Sequence, residues 1–276
     1  MTTDTVIRSR PVGGLRQAVR DGLIITGRNL KRVPRIPELA IFAILQSIMF
    51  VLLFAFVFGG AIPLPDGGSY REFLIPGIFA QTVVFASATT SIGICEDINK
   101  GLMDRFRSLP MARSAVLSGR ALFDVVYQTG ILVVLMVSGV VVGWQVNTGV
   151  AEFFAGIGLL LLFVFAMSWL GIWLGTAVPT VEVANQVSFT VLLPITFLSN
   201  VFVPPGTLPG VLQPVAEWNP TSTLASSLRE LWGNPNPYAS TGFVAENSIL
   251  ITLGWVVIIV SIFAPLAVAR FRSMSR

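Results

Sequence analysis

Apolar positions along this chain come in long unbroken runs rather than in the alternation of a strand or the three-and-four spacing of a surface helix. An α-helix rises about 1.5 Å per residue, so about 20 apolar residues cover a hydrocarbon core roughly 30 Å thick. Six runs qualify: 39–58, 73–95, 121–143, 153–178, 183–203 and 247–269. The first has no charged residue, the third carries Asp124 near one end, and the fifth contains Pro194, which removes a backbone donor and predicts a kink. The pattern predicts an all-α integral membrane protein of six transmembrane helices in one domain, residues 1–276. Gly59-Gly60-Ala61 resembles a signal-cleavage site, but the long basic region and long apolar run before it read as a span instead.

Three segments depart from the long runs. Residues 15–33 alternate at helical spacing: Leu15, Val19, Gly22, Leu23, Thr26, Leu30 and Val33 fall on one side. Arg16, Arg20, Arg28, Lys31 and Arg32 fall on the other, with Ile24 and Ile25 off the pattern. This predicts an amphipathic helix lying on the inner leaflet, its basic residues against anionic lipid. Between the second and third runs, EDINKGLMDRFRSLPMAR carries the densest mixed charge of the chain. On a helical wheel Leu102, Met103, Phe106 and Leu109 share a face of about 120°, while Asp104, Arg105, Arg107 and Ser108 fill the rest, and Pro110 ends the helix. Such a face fits a groove on a partner, or it lies on the membrane and neighbouring spans; the spacing alone permits both. The third segment, 204–246, is too apolar for a plain loop and its apolar pieces are too short to cross. Asn219-Pro220-Thr221-Ser222 makes a turn and cap before Leu224, Leu228 and Leu231, predicting extracellular re-entrant or interfacial helices.

Charge sets the orientation. If six runs cross, sixteen of the eighteen Lys and Arg residues fall on one side, which places both termini and residues 96–113 in the cytoplasm. Arg71 and Arg229 are left outside, together with Tyr70, Trp144, Trp218, Trp232 and Tyr238, read as an interfacial aromatic belt. With 54% hydrophobic and 12% charged residues and a mean hydropathy of +0.79, the chain cannot cover a globular surface with polar groups. The net charge of +4 therefore reads as cytoplasmic loops rather than nucleic-acid binding. A single cysteine, Cys95, and no histidine exclude an internal disulfide and most metal or acid–base chemistry, so no catalytic residue, metal or cofactor is assigned to this chain. The preference for arginine over lysine points to a GC-rich bacterial genome, and so to a bacterial plasma membrane.

Few polar residues sit at membrane depth. Arg120 and Asp124, one turn apart, read as a structural ion pair that offsets the cost of a charge near the bilayer. Glu182 falls in the inner turn after Pro179. On the fifth run, Asn185, Ser188, Thr196, Ser199 and Asn200 fall within about 120° if the Pro194 kink is ignored; the second run adds Gln81, Thr82, Ser87, Thr89 and Thr90, which do not share one face. Such a stripe is either glue between helices or a substrate path, and both readings stand.

The order of these features resembles the permease subunits of type-2 ABC exporters, in particular the daunorubicin/doxorubicin-resistance family of drug and lipid efflux permeases. The resemblance covers most of the chain. It rests on the basic helix before the first span, on Glu96, Gly101, Arg105, Pro110, Arg113, Gly119 and Arg120, and on LSNVFVPPGTLPGVLQPVAEWNPTSTLASSLREL after the fifth. It implies that residues Leu102 to Leu109 are a coupling helix seated in a groove of a separate ATPase, with Leu102, Phe106 and Leu109 as anchors and Arg105 and Arg107 setting register. It also implies two ATPase copies that hold ATP and Mg, a second permease copy as homodimer or heterodimer, and a substrate path along the second and fifth spans. The chain has no GxxxxGK[ST] phosphate loop of its own. A polysaccharide or glycolipid exporter of the same architecture is the alternative, and an intramembrane lipid-modifying enzyme a more distant one, lacking a nucleophile with a base.

Overall fold

The computed structural model describes residues 15–30, 37–58, 69–101, 113–202, 208–236 and 242–273, and among these every regular element is helical. In chain order they are α1 (Leu15–Leu30), α2 (Pro37–Leu53, continued by a π-helical turn over Phe54–Phe58), α3 (Tyr70–Asn99) and α4 (Arg113–Val142). Then come α5 (Val150–Ala177), α6 (Val181–Phe197), α7 (Leu212–Trp218), α8 (Pro220–Trp232), α9 (Phe243–Glu246) and α10 (Ser248–Ser273). Four of them, α3, α4, α5 and α10, are long and apolar enough to cross a membrane, while α2 and α6 are shorter apolar helices.

Helix α3 is the central one. In its most apolar stretch 67% of residues are buried inside the protein, against 11% for α10, whose outward stripe includes Leu250, Val257, Ile258 and Ile262. What lets α3 and α5 approach so closely is a pair of glycines one turn apart. A Cβ at Gly171 would stand 2.8 Å from Thr90 Cβ and 3.1 Å from the Ser87 carbonyl carbon, and one at Gly175 would stand 3.0 Å from Ile94 Cβ. Small residues four apart permit backbone-to-backbone contact, the way helices associate where burial of apolar surface gives no advantage over lipid.

Helix α6 is shorter than the apolar run that predicts it, ending at Phe197 rather than 203. Pro194 lies in its last turn and cannot donate to the preceding turn. Leu198 still donates to the Pro194 carbonyl at 2.9 Å, and the Asn219 side-chain amide donates to the Ile195 carbonyl at 2.6 Å and the Leu198 carbonyl at 3.3 Å. The chain then turns towards α8.

Two expectations are corrected. The supposed aromatic belt is mostly core: Tyr70, Trp144 and Trp232 are buried, while Trp218 is half exposed and Tyr238 lies outside the described residues. Phe79, Trp144 and Trp232 meet edge to face with ring centroids 5.2–5.7 Å apart, and each indole N–H has an acceptor, Asn234 Oδ1 for Trp144 and the Phe153 carbonyl for Trp232. In α1 the buried side is Gly22, Ile25 and Thr26, whereas Leu23, assigned to the apolar face, and Ile24 are each 58% exposed. Ile25 joins an inner cluster with Val116, Leu117, Trp169 and Phe271. The reason is again a glycine: a Cβ at Gly119 of α4 would stand 2.7 Å from the Gly22 carbonyl oxygen, and the Thr26 hydroxyl lies 2.9 Å from both the Gly22 and Gly119 carbonyls.

Candidate functional site

Leu102, Met103, Asp104, Arg105, Phe106, Arg107 and Leu109 lie outside the described residues. The two stems that carry them are described. The incoming stem, α3, stops at Asn99 because Gly101 takes a left-handed conformation (φ +66°), with Lys100 N–H donating to the Glu96 carbonyl at 3.0 Å and Gly101 N–H to Ile98 at 2.9 Å. Lys100 also pairs with Glu96 on the exposed side of that last turn. The outgoing stem, α4, begins at Arg113.

One guanidinium ties the stems together. Arg120 Nε lies 3.1 Å from Asp124 Oδ1 on its own helix, and Arg120 Nη1 lies 3.7 Å from Asp97 Oδ2 on α3. Their side chains are 12%, 10% and 7% exposed. Thr90 of α3 donates its hydroxyl to Asp124 Oδ2 at 2.9 Å, so the carboxylate joins both helices as well. Room for the guanidinium comes from Gly93, where a Cβ would stand 2.5 Å from Arg120 Nη2. Sequence spacing predicts Arg120 and Asp124 as neighbours; Thr90, Gly93 and Asp97 come from another helix, and no spacing rule reaches them.

The polar stripe of the fifth run divides into three environments. Asn185 faces outwards, Ser188 is buried with its hydroxyl unpartnered among the described residues, and Thr196 donates to its own helix at Leu192 (2.8 Å). Ser199 and Asn200 follow the helix end: Ser199 donates to the Thr196 carbonyl at 2.5 Å, and Asn200 donates through its backbone N–H to Ser222 (2.9 Å) and through Nδ2 to Ser226 (2.7 Å). On α3, Gln81 is buried with Oε1 unpartnered among the described residues, and Thr82 donates to the Ile78 carbonyl at 2.8 Å. The fold thus joins Asn200 to α8, keeps Ser199 within the turn that ends α6, and leaves Asn185 on the outward face of α6 beside Gln186, Phe189 and Thr190.

At the start of α6, Thr180 caps the helix by accepting from Val183 N–H at 3.3 Å. Hydrogen bonds from its own backbone N–H and from the Thr180 hydroxyl hold the exposed Glu182 carboxyl below the usual carboxylate range. Among the described residues no three His, Cys, Asp or Glu side chains stand together to hold a metal ion.

The described helices therefore present a pair of stems tied by Arg120 and a polar seam at the end of α6. Comparison with known proteins decides the family, since the model for ABC-2 type transporters matches residues 21–231. The chain belongs to the ABC-2 type transporter family. It is similar to the daunorubicin resistance ABC transporter permease protein DrrB1 of Streptomyces coeruleorubidus, 32% identical over 230 residues, which cover 83% of this chain and 78% of the relative. It is 24% identical over 263 residues (93% of this chain, 89% of the relative) to the putative transport permease ycf38 of Cyanophora paradoxa. With the probable doxorubicin resistance ABC transporter permease protein DrrC of Mycobacterium tuberculosis it shares 24% identity over 213 residues, 76% of each chain. As an ABC-2 permease it is a multi-pass membrane protein and a transport subunit, not an enzyme.

Proposed function

We propose that this permease is the membrane-spanning subunit of an ATP-driven exporter that moves a hydrophobic or amphipathic drug or lipid out of a bacterial cell. The observation that carries the reading is its 32% identity over most of its length to a daunorubicin resistance permease, within a family match that runs from α1 to α8. In this reading α2 and α6 complete six spans, both termini are cytoplasmic, α1 rests on the inner leaflet, and α7 and α8 are re-entrant from the outside. Residues 102–109 form the coupling helix, held by a separate ATPase that binds ATP and Mg. The Arg120 ion pairs support this role, because a displacement of the segment reaches α3 and α4 together.

Two permease copies and two ATPase copies make the working assembly. The outward face of α6, with Phe189, Leu193 and Phe197 exposed among Asn185, Gln186 and Thr190, suits a second copy and an amphipathic cargo between them. Gln81, Thr82, Asn185, Ser188, Thr196, Ser199 and Asn200 are the residues proposed to border that path.

The test is co-purification with a candidate ATPase subunit, followed by daunorubicin uptake into inside-out vesicles. Phe106→Asp is expected to leave the permease in the membrane and to abolish both ATPase recovery and uptake. Normal ATPase recovery with Phe106→Asp would overturn the coupling role, and uptake without any ATPase would overturn the whole reading.

A further inference from the structure

Helix α8 carries five hydroxyl residues and an arginine in thirteen positions, yet Thr221, Ser222, Thr223, Ser227 and Arg229 are buried along with Leu224, Leu228 and Trp232. It resolves this conflict by sorting its residues into rows, each given to a different neighbour. Asn219, Ser222, Ser226 and Arg229, spaced at three and four, face the end of α6: Asn219 supplies the two carbonyl caps there, Ser222 and Ser226 accept from Asn200, and Arg229 Nη2 donates to the Asn200 carbonyl at 3.2 Å. Ser227 lies 3.2 Å from Ser248 Oγ and 3.1 Å from Thr252 Oγ1 of α10, and Ser248 donates to Glu230 at 2.9 Å. The α4–α5 connection closes over the far end, with Asn147 N–H on the Trp232 carbonyl at 2.9 Å and Thr148 Oγ1 on Leu231 at 2.6 Å.

Arg229 is the centre of this arrangement. It is 0% exposed, its Nε donates to the Phe73 carbonyl of α3 at 2.9 Å, its Nη1 reaches Asn236 Oδ1 at 3.4 Å, and its guanidinium carbon stands 3.8 Å over the Phe73 ring. It forms no ion pair with a carboxylate among the described residues. A buried guanidinium is tolerated only while its donors are filled, and here the acceptors come from α3, from the turn after α6 and from the segment after α8. Gly77 of α3 keeps the space, since a Cβ there would lie 3.2 Å from Arg229 Nη2 and 3.0 Å from Val201 Cγ1. Lifting α8 away from α3 or from the end of α6 strips ligands from a cation that water does not reach.

We propose that Arg229 is a positioning residue of the transport cycle: it pins α8 to α3 and to the end of α6, while the Ser227 and Glu230 contacts hold α10 to α8, so that these elements travel as one body. Resting on the exporter reading, this places the outer opening between that body and a second permease copy, with α8 never acting as a hinged lid.

The experiment is a disulfide across the α8–α10 seam, Ser227→Cys with Ser248→Cys in a Cys95→Ser background, in vesicles holding the permease with its ATPase. Oxidation is expected to give a near-complete intrachain disulfide, read as a gel-mobility shift, with daunorubicin uptake within about twofold of the same sample after reduction. A larger fall in uptake, reversed by reduction, overturns the proposal, and so does failure of the disulfide to form. If neither that variant nor the unmodified complex takes up drug, the exporter reading fails, and the pin is then judged without transport. Arg229→Met, which fills similar space but leaves the Phe73 and Asn200 carbonyls without their donor, is expected to raise maleimide labelling of Ser222→Cys, buried against Asn200 at the end of α6, at least threefold in the Cys95→Ser background, with Arg229→Lys restoring part of the protection. Unchanged labelling in Arg229→Met overturns the pin.

Discussion

Replacing Arg120 with methionine keeps most of the side-chain volume and leaves Asp124, buried between α3 and α4, with the Thr90 hydroxyl but without its cation. Removing one partner of a buried ion pair costs about 3–5 kcal/mol, because the remaining charge is uncompensated. The pair lies near the end of a candidate span and Arg120 is 12% exposed, so the low end applies, about 3 kcal/mol. On the scaling for chains of 150–250 residues that is a fall of roughly 6–12 °C in Tm. Asp124→Asn removes the negative charge but keeps an oxygen for Thr90 and Arg120, and Asp97 still faces the guanidinium at 3.7 Å; its cost is about 1–2 kcal/mol, the difference between a charge-assisted and a neutral hydrogen bond. The double variant has no stranded carboxylate at position 124, so it is expected to be more stable than Arg120→Met alone. Thermal unfolding of the four purified proteins in one detergent, read by tryptophan fluorescence, measures the cycle. Losses that simply add, with a coupling below about 0.5 kcal/mol, would refute the argument that Asp124 is charged and paired.

Other expectations follow from the close helix contacts. Ile25→Ala should destabilise by about 2–4 kcal/mol, as for a buried large-to-small change, while Leu23→Ser one turn-face away should leave Tm within a degree or two; equal losses would place α1 differently. Gly171→Leu must push α5 off α3 and is expected to cost about 1–3 kcal/mol or to block folding, measured as the monodisperse fraction after detergent extraction, with Gly158→Leu, whose Cβ would meet nothing within 4 Å, as the tolerated control. For Glu182 the sign is fixed by its lowered pKa: its charge stabilises α6 above the ordinary carboxylate pKa and that contribution is lost as pH falls through the lowered value. Thr180→Ala should raise that pKa towards the ordinary carboxylate range, read from the carboxyl carbon resonance by difference against Glu182→Gln.

Length and hydropathy made the long helices legible, but not which of their faces meets protein. Within a bilayer, lipid tails are as apolar as leucine, so an apolar position does not distinguish a lipid neighbour from a helix neighbour. That is why the wheel of α1 selects Leu23, which the fold leaves outside, and passes over Ile25, which it buries. The better signal was small residues: Gly22 against Gly119, Gly171 and Gly175 against α3, and Gly156 under Trp232 mark the contacts that the apolar pattern blurs. The outer aromatics were misread for a related reason. Trp and Tyr suit an interface, but they suit a core equally well when an acceptor waits for the N–H, and Asn234 is ninety residues from Trp144. The polar stripe of the fifth span does not form one surface because the helix ends at Phe197, before Ser199 and Asn200, and Asn200 turns to α8. Arg229 was visible as one of two cations left outside, but its ligands are mainly backbone carbonyls, which no residue pattern records.

The seat of α1 has a bearing on how the protein is made. Thr26 reaches its acceptor on Gly119 only after 93 further residues have been synthesised, which at 5–20 residues per second is on the order of 5–20 s. For that interval Thr26 is without its Gly119 acceptor, and on the reading that α1 rests on the inner leaflet the membrane surface is what covers its apolar residues until α4 arrives.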